Sequence, residues 1–230
     1  MNETCIFCQR QINYQINLGW LFSFSPLVEK WICQECYSLL SPLSKTQTCS
    51  GCGRKSAVRL CQDCQKWKAK RKKLLYNKAL YVYQNDLMKS YFERYKFLGD
   101  YYLRKVFQRE FEHFIYRNFP AKEWQYVPIP VSKQTFAVRK FNQVTGLVEH
   151  LPLKQYLSVK SETKEIQSHK NRFERLNTTQ LFSCDAKLNL QLSKILLIDD
   201  IYTTGTTLYH AQKLMQQAGA QEIRSVTLAR

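Results

Sequence analysis

Residues 195–207 read Ile195-Leu196-Leu197-Ile198-Asp199-Asp200-Ile201-Tyr202-Thr203-Thr204-Gly205-Thr206-Thr207. Four apolar residues are followed by two acids and then by a Thr/Gly-rich turn. The run Ile195–Ile198 has no polar alternation, which predicts a strand buried on both faces of a parallel sheet. Thr206 to Gln217 predicts a helix that stops at Ala218-Gly219, with Gly219 as its C-terminal cap. A strand that feeds a helix in this way sets the turn at the carboxyl edge of the sheet, where open α/β sheets bind ligands.

Working outward, Ile223 to Leu228 predicts a final strand, and Ala79-Leu80-Tyr81-Val82-Tyr83 an early one. Leu87, Met88, Tyr91, Phe92 and Tyr95 recur at helical spacing and predict a helix over 86–98. Leu103, Phe107, Phe111, Phe114 and Ile115 predict another over 100–118. Trp124 to Pro130 reads as a strand running into a loop, Gln143 to Leu151 as a helix, and 157–182 as a long polar loop holding a short strand. Strands alternating with helices predict an α/β fold, a mostly parallel sheet with flanking helices.

Each part of the turn has a chemical use. Gly205 lets backbone approach a ligand closely. The N–H groups and hydroxyls of Thr203, Thr204, Thr206 and Thr207 can donate to a phosphate, and the next helix turns its positive end toward it. Asp199 and Asp200 lie about one pentose away, where carboxylates accept from ribose hydroxyls directly or through Mg²⁺. The plainer reading is a structural strand–turn–helix with surface acids. No G-x-x-x-x-G-K-[ST] motif occurs, so an ATPase is not implied. Lys133, Arg139 and Lys140 follow Val127–Pro130 and suit pyrophosphate or DNA, or equally a solvated basic loop.

The other informative region is the start. Eight of nine cysteines form C-x-x-C pairs: Cys5/Cys8, Cys33/Cys36, Cys49/Cys52 and Cys61/Cys64. Two such knuckles complete one Cys₄ zinc site, so two structural Zn²⁺ are expected. Sequential pairing puts Cys5, Cys8, Cys33 and Cys36 on one ion and Cys49, Cys52, Cys61 and Cys64 on the other; a cross-braced pairing is the alternative. Residues 1–75 are then a small zinc-ribbon domain with a basic connector, and 76–230 the α/β domain.

The formal net charge is +17. Residues 1–80 hold 13 of the 35 Lys/Arg and 4 of the 18 Asp/Glu, so the excess is denser there. A polyanionic partner is implied. Trp67 inside the run Lys66–Lys73 suits stacking on single-stranded DNA, or packing inward. No stretch approaches the roughly 18 apolar residues of a membrane span. The start Met1-Asn2-Glu3-Thr4-Cys5 lacks a basic and then apolar signal, so a cytoplasmic protein is expected.

Residues 195–207 resemble the 5-phosphoribosyl 1-pyrophosphate (PRPP) signature of type I phosphoribosyltransferases. Tyr95-Lys96-Phe97-Leu98-Gly99-Asp100 resembles the lysine–phenylalanine–glycine segment of the ComF family. Val127-Pro128-Ile129-Pro130 resembles its VPVP strand end, and Arg139-Lys140-Phe141-Asn142-Gln143 its R-G-F-N-Q box. Gln167, Arg175, Asn177 and Phe182 match its Q…R-x-N…F segment. The order of motifs is most similar to the Gram-positive competence branch. This resemblance implies a type I phosphoribosyltransferase-like domain and a role in uptake of single-stranded DNA during natural transformation. A ComFA-type DNA helicase/translocase ATPase is the implied partner. It also implies PRPP or ribose phosphate as ligand, Mg²⁺ with it, and Lys96 as a pyrophosphate or DNA contact. Whether the domain turns over PRPP on some base, or only binds, is left open by the residues. Lys140 replaces the family glycine, which argues against a tight turn there.

Overall fold

The computed structural model describes residues 3–14, 18–23, 29–43, 47–70, 73–160 and 180–230. Short helices α1 (Leu18–Phe22) and α2 (Gln34–Ser38) and the longer α3 (Gln62–Lys70) lie in the cysteine-paired region. Then follow β1 (Asn77–Tyr81), α4 (Asp86–Phe97), a 3₁₀ turn (Tyr101–Leu103) with α5 (Arg104–Asn118), and β2 (Trp124–Pro128). Next come α6 (Lys133–Arg139), α7 (Gln143–Leu147), and the short strands β3 (Ser158–Val159) and β4 (Phe182–Ser183). The chain closes with β5 (Lys194–Ile201), α8 (Thr206–Gln217) and β6 (Glu222–Ala229).

Four strands form one sheet in the order β1-β6-β5-β2, every pair parallel. The expected parallel α/β sheet is therefore present, and its central strand β5 is the apolar run of the sequence. Side chains alternate across a strand. Leu196 and Ile198 point into a cluster with Met88, Tyr91, Phe107 and Leu147 from α4, α5 and α7. Ile195 and Leu197 point the other way, toward Leu208, Tyr209 and Met215 of α8. All four are fully buried, which explains a run with no polar position. Each such burial stabilises the fold by about 1.5–3 kcal/mol.

The second face carries more than α8. Cys49, Cys52, Cys61, Cys64 and Trp67 belong to the same hydrophobic cluster as Ile195, Leu197 and Tyr209. Asn77 of β1 donates its N–H to the Gly51 carbonyl at 2.7 Å, and its side-chain amide to the Cys52 carbonyl at 3.2 Å. The first knuckle meets the opposite face: Ile6 and Phe7 pack on the α4/α5 side, and Arg94 of α4 donates to the Ile6 carbonyl at 3.0 Å.

Most expected elements occur within a few residues of their predicted ends. The helix Thr206–Gln217 matches at both, and Gly219 has φ 91°, as a left-handed cap requires. Four details differ. The basic connector carries a helix, α3, that begins at Gln62, directly after Cys61. The helix expected over Gln143–Leu151 ends at Leu147. The loop after Pro130 contains α6, capped by Ser132, whose hydroxyl accepts from the Thr135 N–H at 3.0 Å. No residue of α6 is buried, so no apolar periodicity announced it. Finally, Lys140 does make the tight turn: it ends α6 with φ 64° in the left-handed region, and its N–H reaches the Phe136 carbonyl at 2.7 Å. Gln167, Arg175 and Asn177 lie outside the described residues, while Phe182 is buried in β4.

Candidate functional site

The site grows from the carboxyl end of β5. Asp199 and Asp200 are still within the strand, paired in register with β6 (Asp199↔Thr227), and are 8% and 3% exposed. Each is braced locally: Asp199 Oδ1 accepts from the Asp200 N–H at 2.9 Å, and Asp200 Oδ1 from the Ile201 N–H at 2.7 Å. Burial, and then the neighbouring Asp200 charge, push the Asp199 carboxyl well above the ordinary carboxylate range; Lys96 opposes this.

Lys96, near the end of α4, places Nζ 2.8 Å from Asp200 Oδ2. That oxygen has no aligned hydrogen-bond donor among the described residues, so the contact is an ion pair held by charge more than by direction. Arg139 completes the cationic side. Burial pulls its guanidinium below its ordinary value while the charge of Asp200 pushes it back up. Its Nη1 donates to Gln143 Oε1 at 2.9 Å, and its guanidinium lies over the Phe97 ring. The structure thus brings Lys96 and Arg139 to the acid pair. Lys133 and Lys140 stay exposed, and among the described residues neither pairs with these acids.

The turn follows. Tyr202 is buried, Thr203 exposed, and Gly205 adopts φ 84° as the residue before α8. A side chain at Gly205 would collide with the Tyr202 ring, so glycine is required by both conformation and space. Gly205 offers no side chain to cap α8, a twelve-residue helix, and in its first turn the Thr206 N–H reaches Thr204 Oγ1 at 3.4 Å. Thr206 is buried and shares a hydroxyl hydrogen bond with Thr204 at 3.0 Å; Thr203 and Thr207 remain accessible. Among the described residues, the N–H groups of Thr203, Thr204 and Gly205 donate to nothing. Three consecutive free donors at a helix N-terminus are an arrangement suited to an anion.

The cysteines assemble into two groups, Cys5/Cys8/Cys33/Cys36 and Cys49/Cys52/Cys61/Cys64, whose sulfur atoms lie within 4.8 Å of one another in each. The pairing is therefore sequential, not cross-braced. Sulfur–sulfur separations of 3.6 Å (Cys8–Cys33) and 3.7 Å (Cys52–Cys61) are far beyond a disulfide bond. They match the edge of about 3.8 Å that four Zn–S bonds of roughly 2.3 Å would give a tetrahedron. The Cys52 thiol is held low, at about 4, by the Cys64 thiol, against burial and with help from Arg230.

Two further residues brace this site from behind. Trp67 is 4% exposed, stacks on Tyr209 at 4.0 Å and donates Nε1–H to the Thr204 carbonyl at 2.9 Å. It packs inward and offers no platform to a DNA base. Arg230, following β6, donates to the carbonyls of Tyr202 (3.0 Å) and Thr203 (2.9 Å). The inward alternative for Trp67 was visible from sequence; nothing marked Arg230.

Among the described residues, no helix is long and apolar enough to cross a membrane. Residues 114–230 match the family model of the phosphoribosyl transferase domain. Among solved structures, a hypoxanthine phosphoribosyltransferase from Staphylococcus aureus is similar at TM-score 0.31 and 16% identity, over 54% of this chain and 60% of that one. Competence protein ComFC of Streptococcus pneumoniae is 39% identical over 86% of this chain and 87% of that protein. Competence protein ComFC of Bacillus subtilis is 34% identical over 98% of this chain and 94% of that protein. Identity at that level, spread over nearly the full length of both relatives, makes this chain a member of the ComFC competence protein family with a phosphoribosyl transferase domain.

Proposed function

We propose that the turn Thr203–Thr207 binds the phosphate of PRPP or a related ribose phosphate, with Asp199 and Asp200 facing the ribose hydroxyls and Mg²⁺ accompanying the ligand. The observation that carries this reading is the row of three free N–H groups at the open end of α8, directly beside the acid pair. Lys96 and Arg139 suit the pyrophosphate; Lys133 and Lys140 are accessible to a longer polyanion. Both Cys₄ groups hold structural Zn²⁺, for which soft thiolates at tetrahedral spacing are suited.

The biological role we infer is support of single-stranded DNA uptake in natural transformation. A cytoplasmic site of action beside a ComFA-type ATPase fits that role. It rests on the ComFC relatives and on the basic charge of the chain. Zinc-binding residues 1–75 and phosphate-binding residues 76–230 are its two working parts. Retention of both acids and the threonine-rich turn supports a second reading, PRPP-dependent glycosyl transfer to a base with release of pyrophosphate. Pyrophosphate release with a panel of bases tests that reading directly.

Calorimetric titration of the zinc-loaded protein with PRPP and Mg²⁺, beside Asp200→Ala, tests the ligand. Saturable binding by the parent, weakened at least about tenfold in the variant, is expected for loss of a charge-assisted contact. A parent that does not bind PRPP refutes the ribose-phosphate reading.

A further inference from the structure

The phosphate turn is held from behind. Three successive carbonyls, those of Tyr202, Thr203 and Thr204, all accept from side chains. Arg230 Nη1 supplies the first two bonds and Trp67 Nε1 the third. In a trans peptide the C=O of one residue and the N–H of the next point in opposite directions within one plane. Every peptide described is trans. Fixing these three carbonyls therefore fixes the N–H groups of Thr203, Thr204 and Gly205, the same three that donate to nothing among the described residues.

Both gripping side chains are anchored in the second cysteine group. Trp67 follows Cys64 by three residues on α3, so the two share one face of that helix. Cys64 Sγ is confined against Gly51, where an added Cβ would lie 2.7 Å from it. Arg230 Nη2 donates to Cys52 Sγ at 3.3 Å and stands 3.9 Å from Asp63 Oδ2, also on α3. One guanidinium thus spans from a thiolate of the cluster to the backbone of the turn. Cys5, Cys8, Cys33 and Cys36 have no such connection among the described residues.

We propose that Trp67 and Arg230 are positioning residues of the phosphate turn, and that through them the metal held by Cys49, Cys52, Cys61 and Cys64 sets the turn's affinity for its ligand. This rests on the ribose-phosphate and zinc readings above. The metal fixes Cys52 and Cys64; those residues fix Arg230 and α3; Arg230 and Trp67 fix the carbonyls, and so the donors. Because the coupling is between two binding equilibria, it is reciprocal: a bound ribose phosphate must retain the metal by the same factor.

The test uses the full zinc-loaded chain. Zinc release to a chromogenic chelator is followed with and without saturating PRPP and Mg²⁺, and PRPP affinity is measured for the parent, Trp67→Phe and Arg230→Lys. Phenylalanine keeps a ring against Tyr209 and removes only the N–H donor. PRPP should slow release of one zinc per chain severalfold and leave the other unchanged. Each variant should bind PRPP about three- to tenfold more weakly, the range for one lost hydrogen bond, and should lose the slowing while retaining both zinc ions. If the parent binds PRPP but both zinc ions leave at unchanged rates, the coupling is wrong and the ribose-phosphate reading stands. Parent-like affinity in both variants overturns the positioning roles. If the parent does not bind PRPP, the ribose-phosphate reading falls and takes the coupling with it.

Discussion

Lys96 Nζ stands 2.8 Å from Asp200 Oδ2, joining the end of α4 to the end of β5 with both side chains largely buried. Without the lysine, two adjacent buried carboxylates would face each other with Arg139 as the remaining nearby cation. Breaking a fully buried pair costs about 3–5 kcal/mol; since Lys96 is 16% exposed, Lys96→Met should cost less, on the order of 2 kcal/mol. Urea unfolding of the parent and variant checks this. Unchanged stability would mean that the pair contributes nothing net.

Asp199 should make the protein less stable as pH rises. Its carboxyl is raised by burial and by Asp200, so the folded chain keeps a proton that the unfolded chain releases near pH ~4. Stability is fully present below the unfolded value and is lost as pH climbs through the raised folded value. Asp199→Asn keeps the oxygen that accepts from the Asp200 N–H and removes the titration. The variant should be more stable than the parent at about pH 8, by about 0.5–2 kcal/mol, with the gain vanishing toward pH ~4. Its ligand binding should weaken in exchange.

Gly205→Ala meets both a left-handed backbone and the Tyr202 ring. A cost of about 1–3 kcal/mol is expected from the strain alone. Loss of PRPP binding should accompany it, since the free N–H groups of the turn would shift. Thermal unfolding and calorimetry on one preparation separate the two effects.

Lys140 holds a left-handed conformation without being glycine, at a typical expense of about 1 kcal/mol. Lys140→Gly should therefore stabilise the protein by up to that amount, and any weakening of polyanion binding would report the lost charge. Denaturant midpoints and salt-dependent DNA binding are the two measurements.

Cys8→Ser and Cys52→Ser should each reduce zinc content from about two to about one per chain by elemental analysis. The stability effects should differ. Cys52 belongs to a cluster shared with Ile195 and Tyr209, whereas Cys8 is exposed at the edge of its own. Cys52→Ser should produce the larger fall in melting temperature.

Local chemistry was legible wherever one segment carried its own signal. The β5 run, the α8 boundaries and the cysteine pairs could be read because apolar monotony, a glycine cap and C-x-x-C spacing are local patterns. What could not be read was decided by the sheet order. Arg230 is 27 residues from Thr203 and 178 from Cys52, and only the placement of β6 beside β5 and β1 brings the three together. Trp67 shows the same limit in another form. Its neighbours are basic, so the sequence left stacking on DNA and inward packing equally open, and α3 turns the ring onto Tyr209. The helix α6 escaped notice because all its apolar side chains face outward or sit at the surface.

The grip on the phosphate turn also dictates when it can exist. Two of its clamps join Arg230 to residues 27 and 28 positions earlier, so they close only after β6 has entered the sheet. During synthesis, β5 and the start of α8 leave the ribosome before the strand that brings Arg230 into place. A nascent chain that has made the acid pair and the threonines therefore still lacks a shaped turn. The shaping of the turn therefore waits on β6, a strand translated after the residues that it shapes.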